Sequence, residues 1–190
     1  MNMTRRLSTS LIALLGMALI ASTGRPDTKD PPTKDLATKD TDQKIELPEA
    51  VHKTFKEKFP KAEIEKIEVE DENGVTVYDI EFKEGETEKE TDITADGTML
   101  EFTIVIGAKD VPAAAMKPIG RAAEGAKMKR IERIEISYET KAGKVVKLPK
   151  VVTHYAVEMA KGNQTAEIVV MPDGTVIEAP KWEDAKKQKP

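Results

Sequence analysis

The side chains able to do chemistry in this sequence are above all carboxylates: 34 Asp and Glu stand against two histidines and no cysteine. Without cysteine, disulfides, thiolate metal sites, thiol catalysis and a lipid-modified cysteine are excluded. His52 belongs to a helical pattern and His154 to a strand pattern, so no ligand spacing joins them. The chain has no phosphate-cradling glycine loop, no G-x-S-x-G and no H-E-x-x-H. None of the acidic residues sits in an apolar sequence context that would raise its pKa, so no acid–base pair and no enzyme is expected. What the carboxylates do show is regular placement. Glu68, Asp79, Asp92 and Glu101 can be aligned by a sheet, provided the turns between them set the register.

Those turns can be read. Asn73-Gly74, Gly85-Glu86 and Asp96-Gly97 each suit a two-residue hairpin between strands expected near 63–71, 76–83, 88–95 and 98–106. The register that follows aligns Val69–Tyr78–Ile93–Leu100 and Ile67–Ile80–Thr91–Phe102 as buried rows on one face. On the other face it aligns Glu68–Asp79–Asp92–Glu101, with Lys66–Glu81–Glu90–Thr103 beside it. Ahead of the strands, "LPEAVHKTFKEKFP" spaces Leu47, Val51, Phe55 and Phe59 four apart on one side of a short helix. Pro48 falls in its first turn and Pro60 ends it.

The same order is written twice. Val111-Pro112, Ala115, Ile119 and Ala123 repeat Leu47-Pro48, Val51, Phe55 and Phe59 at an offset of 64. Tyr155, Gly162 and Asp173-Gly174-Thr175 repeat Tyr78, Gly85 and Asp96-Gly97-Thr98 at an offset of 77. The difference, 13 residues, is an insertion in the first hairpin of the second half, at or near 141–153. The fold class is therefore α+β: two tandem αββββ units, an antiparallel sheet, and helices on one face. A module of about 60 residues has a marginal core alone, so the halves are expected to share one sheet or to pack closely. Pro118 lies inside the second helical stretch, where proline costs about 3 kcal/mol or more, and with Gly120 and Gly125 it predicts a bent or short helix.

In the second half the buried rows become Tyr155–Val170–Ile177 and Val157–Ile168–Ala179. On the opposite face, Ala156 and Val169 replace Asp79 and Asp92, Glu178 keeps the acid of Glu101, and His154–Met171–Val176 replaces Val77–Thr94–Met99. Like charges directly opposed on adjacent strands destabilise a sheet, so the acidic row invites three readings. It is a solvated face screened by salt and lysines, a surface for a basic partner, or, last, a calcium site of Glu68, Asp79, Asp92 and Glu101. Side chains on a flat sheet rarely wrap the six to eight oxygens calcium takes. A partner docking on the helix-free face would meet Asp79, Glu81, Asp92 and Glu101 in one half and His154, Ala156, Val169, Met171 and Val176 in the other. The apolar strip would supply a buried centre, unless the insertion or a tail covers it.

The ends speak to compartment. "MNMTRRLSTSLIALLGMALIASTG" has a positive start, a short apolar run and small residues, which fits a cleaved signal peptide over 1–24. Residues 25–45, with Thr-Lys-Asp three times, are too polar to bury surface and are expected to be a disordered linker. The units are expected at 46–107 and 108–181, with a polar tail at 182–190 and Trp182 folding back for cover. A net charge of −4 argues against a nucleic-acid partner. No cofactor is implied.

The layout, carried by "LPEAVHKTFKEKFPKAEIEKIEVE", "VTVYDIEF", "HYAVEM" and "AEIVVMPDGTVIE", resembles the PepSY-like family and is similar to tandem β-lactamase-inhibitory proteins. The shared features, over roughly 47–180, are a Leu-Pro or Val-Pro helix start, "FP" after the helix, a Tyr-x-[Ile/Val]-x-[Phe/Met] strand and an Asp-Gly hairpin. Pro118, the insertion and the absence of a second "FP" depart from it. The resemblance implies a periplasmic or secreted module that binds a protein or peptide, with inhibition of a peptidase or another envelope enzyme as one form of that binding. It carries over no catalytic residues. The alternative is an envelope sensor or structural protein that takes a cation or cell-wall ligand on its acidic face. A small hydrolase of unrecognised type ranks third.

Overall fold

A computed structural model describes residues 45–185; the expected signal peptide, the linker up to residue 44 and the last five residues lie outside the described residues. Helix α1 (Glu49–Lys58) is followed by β1 (Glu63–Glu72), β2 (Val75–Glu84), β3 (Thr87–Thr94) and β4 (Met99–Val105). After a single 3-10 turn (Ala108–Asp110), the order repeats as α2 (Ala113–Ala122), β5 (Lys127–Lys141), β6 (Lys144–Lys161), β7 (Gln164–Val170) and β8 (Val176–Glu178), with a short β9 (Glu183–Asp184) added. All the strands form one antiparallel sheet in the order β1 to β8, and β9 pairs β7 beyond the end of β8. The two αββββ units thus share a sheet, joined where β4 pairs β5 from Glu101–Ile136 to Val105–Glu132.

Both helices cover the same face. Val51, Phe55 and Phe59 of the first stripe pack with Ile80, Phe82 and Ile93. Four phenylalanines form the centre of this cluster, with Phe55 edge-on to Phe82 at 5.0 Å and Phe59 stacked on Phe102 at 5.5 Å. Ala115, Ile119 and Ala123 pack with Ile131, Tyr155, Val157, Met159, Ile168 and Val170, and Trp182 covers the edge of this second cluster. Each large apolar side chain buried in this way contributes roughly 1.5–3 kcal/mol.

The structure corrects three expectations. Val69 was placed in the core, yet it is 48 % exposed, because β1 is the edge strand and α1 packs mainly over β2 and β3. The Asp-Gly hairpins are three-residue loops: the Gly97 N–H donates to the Thr94 carbonyl and the Thr94 N–H to the Thr98 carbonyl, with Gly97 alone at positive φ. A bulge then restores the register, so Met99 and not Leu100 pairs Ile93, and in the same way Val176 and not Ile177 pairs Val170. Ile177 and Ala179 are exposed rather than core.

Third, α2 runs through Pro118 for ten residues, as many as α1. The carbonyl that Pro118 leaves without its helical donor belongs to Ala114, and Gly174 lies so close to it that an added Cβ would stand 2.6 Å from that oxygen. The insertion prolongs β5 and β6 into a two-stranded arm whose tip, Ala142-Gly143, has both residues at positive φ.

Candidate functional site

The helix-free face carries the carboxylates, and the ladder brings them together as the turns implied. Glu68, Asp79, Asp92 and Glu101 pair in sequence across β1 to β4, and Ile136 and Val152 continue the row on β5 and β6. Lys66, Glu81, Glu90, Thr103, Ile134 and His154 form the next row. The face curls. In a flat sheet the tips of β1–β2 and β5–β6 would stand about 14 Å apart, three strand intervals. Instead the Gly143 N–H donates to the Asn73 carbonyl at 2.7 Å.

Curling takes the row out of water. Asp79 is 6 % exposed and Asp92 7 %, and Thr103, Glu132 and His154 are buried as closely. The expectation that no acidic residue would have a raised pKa is therefore overturned. Burial, then the charge of Asp79 and its neighbours, pushes Glu90 up to about 9. Burial, then the charge of Glu72, pushes Glu101 up to about 7 against a hydrogen bond from Thr103. Asp92 is raised well above the usual range by burial and by Glu101. Glu90 and Glu101 keep part of their surface exposed, but the atoms crowded round their carboxylates outweigh that exposure. His154 is pushed down by burial. At neutral pH the cluster holds protons that ordinary carboxylates would have lost.

Two cations border the cluster. Lys66 bridges Glu68 and Glu81, and Arg130 bridges Glu88 and Glu132. Carboxylate oxygens of Asp79, Glu90 and Asp92 lie within 4.8 Å of one another, as do those of Glu68, Asp79 and Glu81. Glu101 falls in neither group, so the four residues of the row do not converge as one ligand set. Three members were missed by sequence reasoning. Glu72 could have been found by continuing the alternation Glu68, Glu70, Glu72 along β1. Glu90 had been placed only in the neighbouring row. Glu132 could not, since β5 reaches β4 through a helix and no turn fixes that register.

Of the second-half residues expected on this face, His154 and Ala156 are buried, and Val169 and Met171 are half-buried. Ala156 pairs Val169, and Val169 pairs Glu178, as the register required. Val176 is a correction: the bulge pairs it with Val170, so it belongs to the helix-side register, though 42 % exposed. His52 is exposed on α1, far in sequence and on the other side from His154.

Among the described residues, no helix is long and apolar enough to cross a membrane. None of the curated proteins matches the sequence. The fold is shared with solved structures of low sequence identity. One, from Bacteroides eggerthii and described as among "putative periplasmic proteins", has a TM-score of 0.57 at 14% identity, covering 75% of this chain and 94% of its own. DUF2874 family proteins from Bacteroides uniformis and Bacteroides ovatus give 0.54 at 14% and 0.53 at 13%, each over 75% of this chain and 92% and 91% of theirs. One family model matches residues 39–101 and again 76–149, and the chain accordingly belongs to the family described as "putative beta-lactamase-inhibitor-like, PepSY-like".

Proposed function

We propose that the chain is a non-enzymatic module, exported from the cytoplasm, that binds a protein or peptide through the helix-free face of its sheet. The observation that carries this reading is the curled face itself, with Asp79 and Asp92 buried at its floor while Glu81 and Glu101 remain half-exposed. Val169 and Met171 extend it as an apolar strip. Carboxylates of this kind give steering and register to a cationic partner, and half-buried apolar groups give it a centre. Export rests on the signal-like first 24 residues and on the periplasmic description of a structural neighbour. Inhibition of a peptidase or another envelope enzyme is one form the binding could take.

The test is capture from an envelope extract by the mature chain, run beside Met171→Lys, a Glu81→Lys/Glu101→Lys pair, and Lys53→Glu on the helix side. A partner retained by wild type and Lys53→Glu, and lost by the two face variants, is the expected result. Equal retention by all four would sink the reading. A second reading, cation binding, draws on the oxygens gathered at Asp79. It requires millimolar calcium to raise the melting temperature of wild type and not of Asp79→Asn.

A further inference from the structure

The β5–β6 arm is attached at both ends by few bonds. Between Ile136–Val152 and Tyr138–Lys147 the ladder breaks, with one residue of β5 facing four, 148–151, of β6. An irregularity of this size leaves the ladder unpaired and bends the strand, so the hairpin beyond it is joined to the sheet only through that bend. At its far end the arm meets the β1–β2 tip. The Gly143 N–H donates to Asn73, the Asn73 amide donates to the carbonyl and hydroxyl oxygens of Thr140 at 3.1 and 3.0 Å, and the Thr140 hydroxyl donates to Glu72 at 3.3 Å. A groove runs beneath, lined by Val75, Thr76 and Thr94 of the sheet and by Gly143, Lys144 and Val145 of the arm.

We propose that this arm is a latch, closed over the helix-free face at acidic pH and released as the carboxylates beneath it ionise. Glu72 is the connection. It touches the arm through Thr140 and acts by charge on both Asp92 and Glu101. Burial, the largest cause, raises all three. Opening the arm would return water to Glu72 and its neighbours and let their pKa values fall. The closed state therefore binds more protons at Glu72, so it is favoured at low pH and loses that advantage as pH rises through the raised pKa of that carboxyl.

Other charges face the same space. Glu68 and Glu70 on β1, Asp79 and Glu81 on β2, Glu90 on β3 and Glu132 on β5 add negative charge in the same direction. Lys66 and Arg130 are occupied by Glu68, Glu81, Glu88 and Glu132. Burial lowers the pKa of His154 on β6, and hydrogen bonds from Thr94 and Thr98 lower that of Asp96, on the loop lining the groove. The arm itself carries Glu139 and four lysines, whose attraction opposes release. Lys141, Lys144, Lys147 and Lys150 are exposed, however, and among the described residues none lies within ion-pair distance of a carboxylate on the face. Exposed charges acting through water contribute little and are screened by salt. Desolvation of Glu72, its largest cause of shift, is not screened, so burial sets the sign.

The test is amide hydrogen exchange of the mature chain from pH 5 to 8.5 in 0.5 M salt, each rate divided by its intrinsic value. Protection at Gly143, whose N–H is held by the Asn73 carbonyl, should fall by about tenfold or more, the effect of one pK unit of linkage, while Val157 keeps its protection. Glu72→Gln, which keeps an acceptor for Thr140, should cut that fall to under about threefold. Unchanged protection at Gly143, an equal fall at Val157, or a full pH response in Glu72→Gln would each overturn the latch. If that variant does not fold, the wild-type series still decides. The inference stands apart from the binding reading, since it needs no partner.

Discussion

At the scale of single residues, the carboxylates of the helix-free face are held where they cost stability at neutral pH. An acid whose pKa is raised on folding binds more protons folded than unfolded, so its contribution declines once pH passes its unfolded value. For Glu101 that window runs from about 4.5 to about 7. Glu101→Gln removes the charge and keeps an oxygen to accept the Thr103 hydroxyl, a bond of 3.3 Å in wild type. The variant should be more stable than wild type by on the order of 1–3 kcal/mol at pH 8.5 and nearly equal to it at pH 4.5. Urea denaturation at the two pH values checks this, and a variant less stable at pH 8.5 would mean the charge is compensated. The row itself was legible, because each of its members stands a fixed number of residues from a glycine turn. Its burial was not. The residues that extend its rows, Ile134, Ile136, Val152 and His154, come from strands more than thirty residues further along the chain.

At the scale of elements, the two Asp-Gly loops do more than reverse the chain. Gly97 and Gly174 have φ of +88° and +90°, and each presses on the helix of its own half, where an added Cβ would stand 2.9 Å from the Ala50 oxygen and 2.6 Å from the Ala114 oxygen. The contact repeats at the duplication offset, and the position after it differs in kind: Thr54 donates to the Gly97 carbonyl at 2.8 Å, whereas its counterpart is Pro118. Pro118 has no N–H to give the Ala114 carbonyl, and Gly174 packs against that oxygen without donating to it, its own N–H going to the Met171 carbonyl at 3.0 Å. Gly162, also at positive φ but with nothing near, is the matched control. Gly162→Ala should cost about 1–2 kcal/mol for the left-handed backbone alone. Gly174→Ala should cost more, about 2–4 kcal/mol, since the neighbouring backbone must also shift. Equal losses in thermal melts would mean that the loop yields and the contact is incidental. The sequence pointed to both glycines through their turn chemistry. It could not supply the loop length, because two- and three-residue hairpins share the same Asp-Gly signature and differ by the bulge that follows. That one residue moved Leu100 and Ile177 out of the rows assigned to them.

At the scale of the whole molecule, the duplication yields two apolar clusters and one sheet. Neither half closes its own sheet. Residues 45–107 alone would leave the β4 edge unpaired at the five positions that β5 now fills, from Glu101 to Val105. They would also lose Ile134, Ile136 and His154 from the rows that hold Glu101 and Thr103. The arm adds a second tie, from Gly143 and Thr140 of the second half to Asn73 and Glu72 of the first. A module of about 60 residues is marginal without such neighbours, so the two clusters should unfold together. The chain offers a local probe for this, because its single tryptophan, Trp182, packs on the second cluster and reports on that half alone. Far-ultraviolet circular dichroism reports on both. In urea at pH 5, where the latch is closed, the fluorescence and dichroism transitions should coincide in midpoint and slope. A fluorescence transition that precedes or trails the dichroism would show that the β4–β5 ladder does not couple the halves. The fragment 45–107 makes the same case from the other side: it should lack a cooperative transition under the conditions in which the whole chain has one.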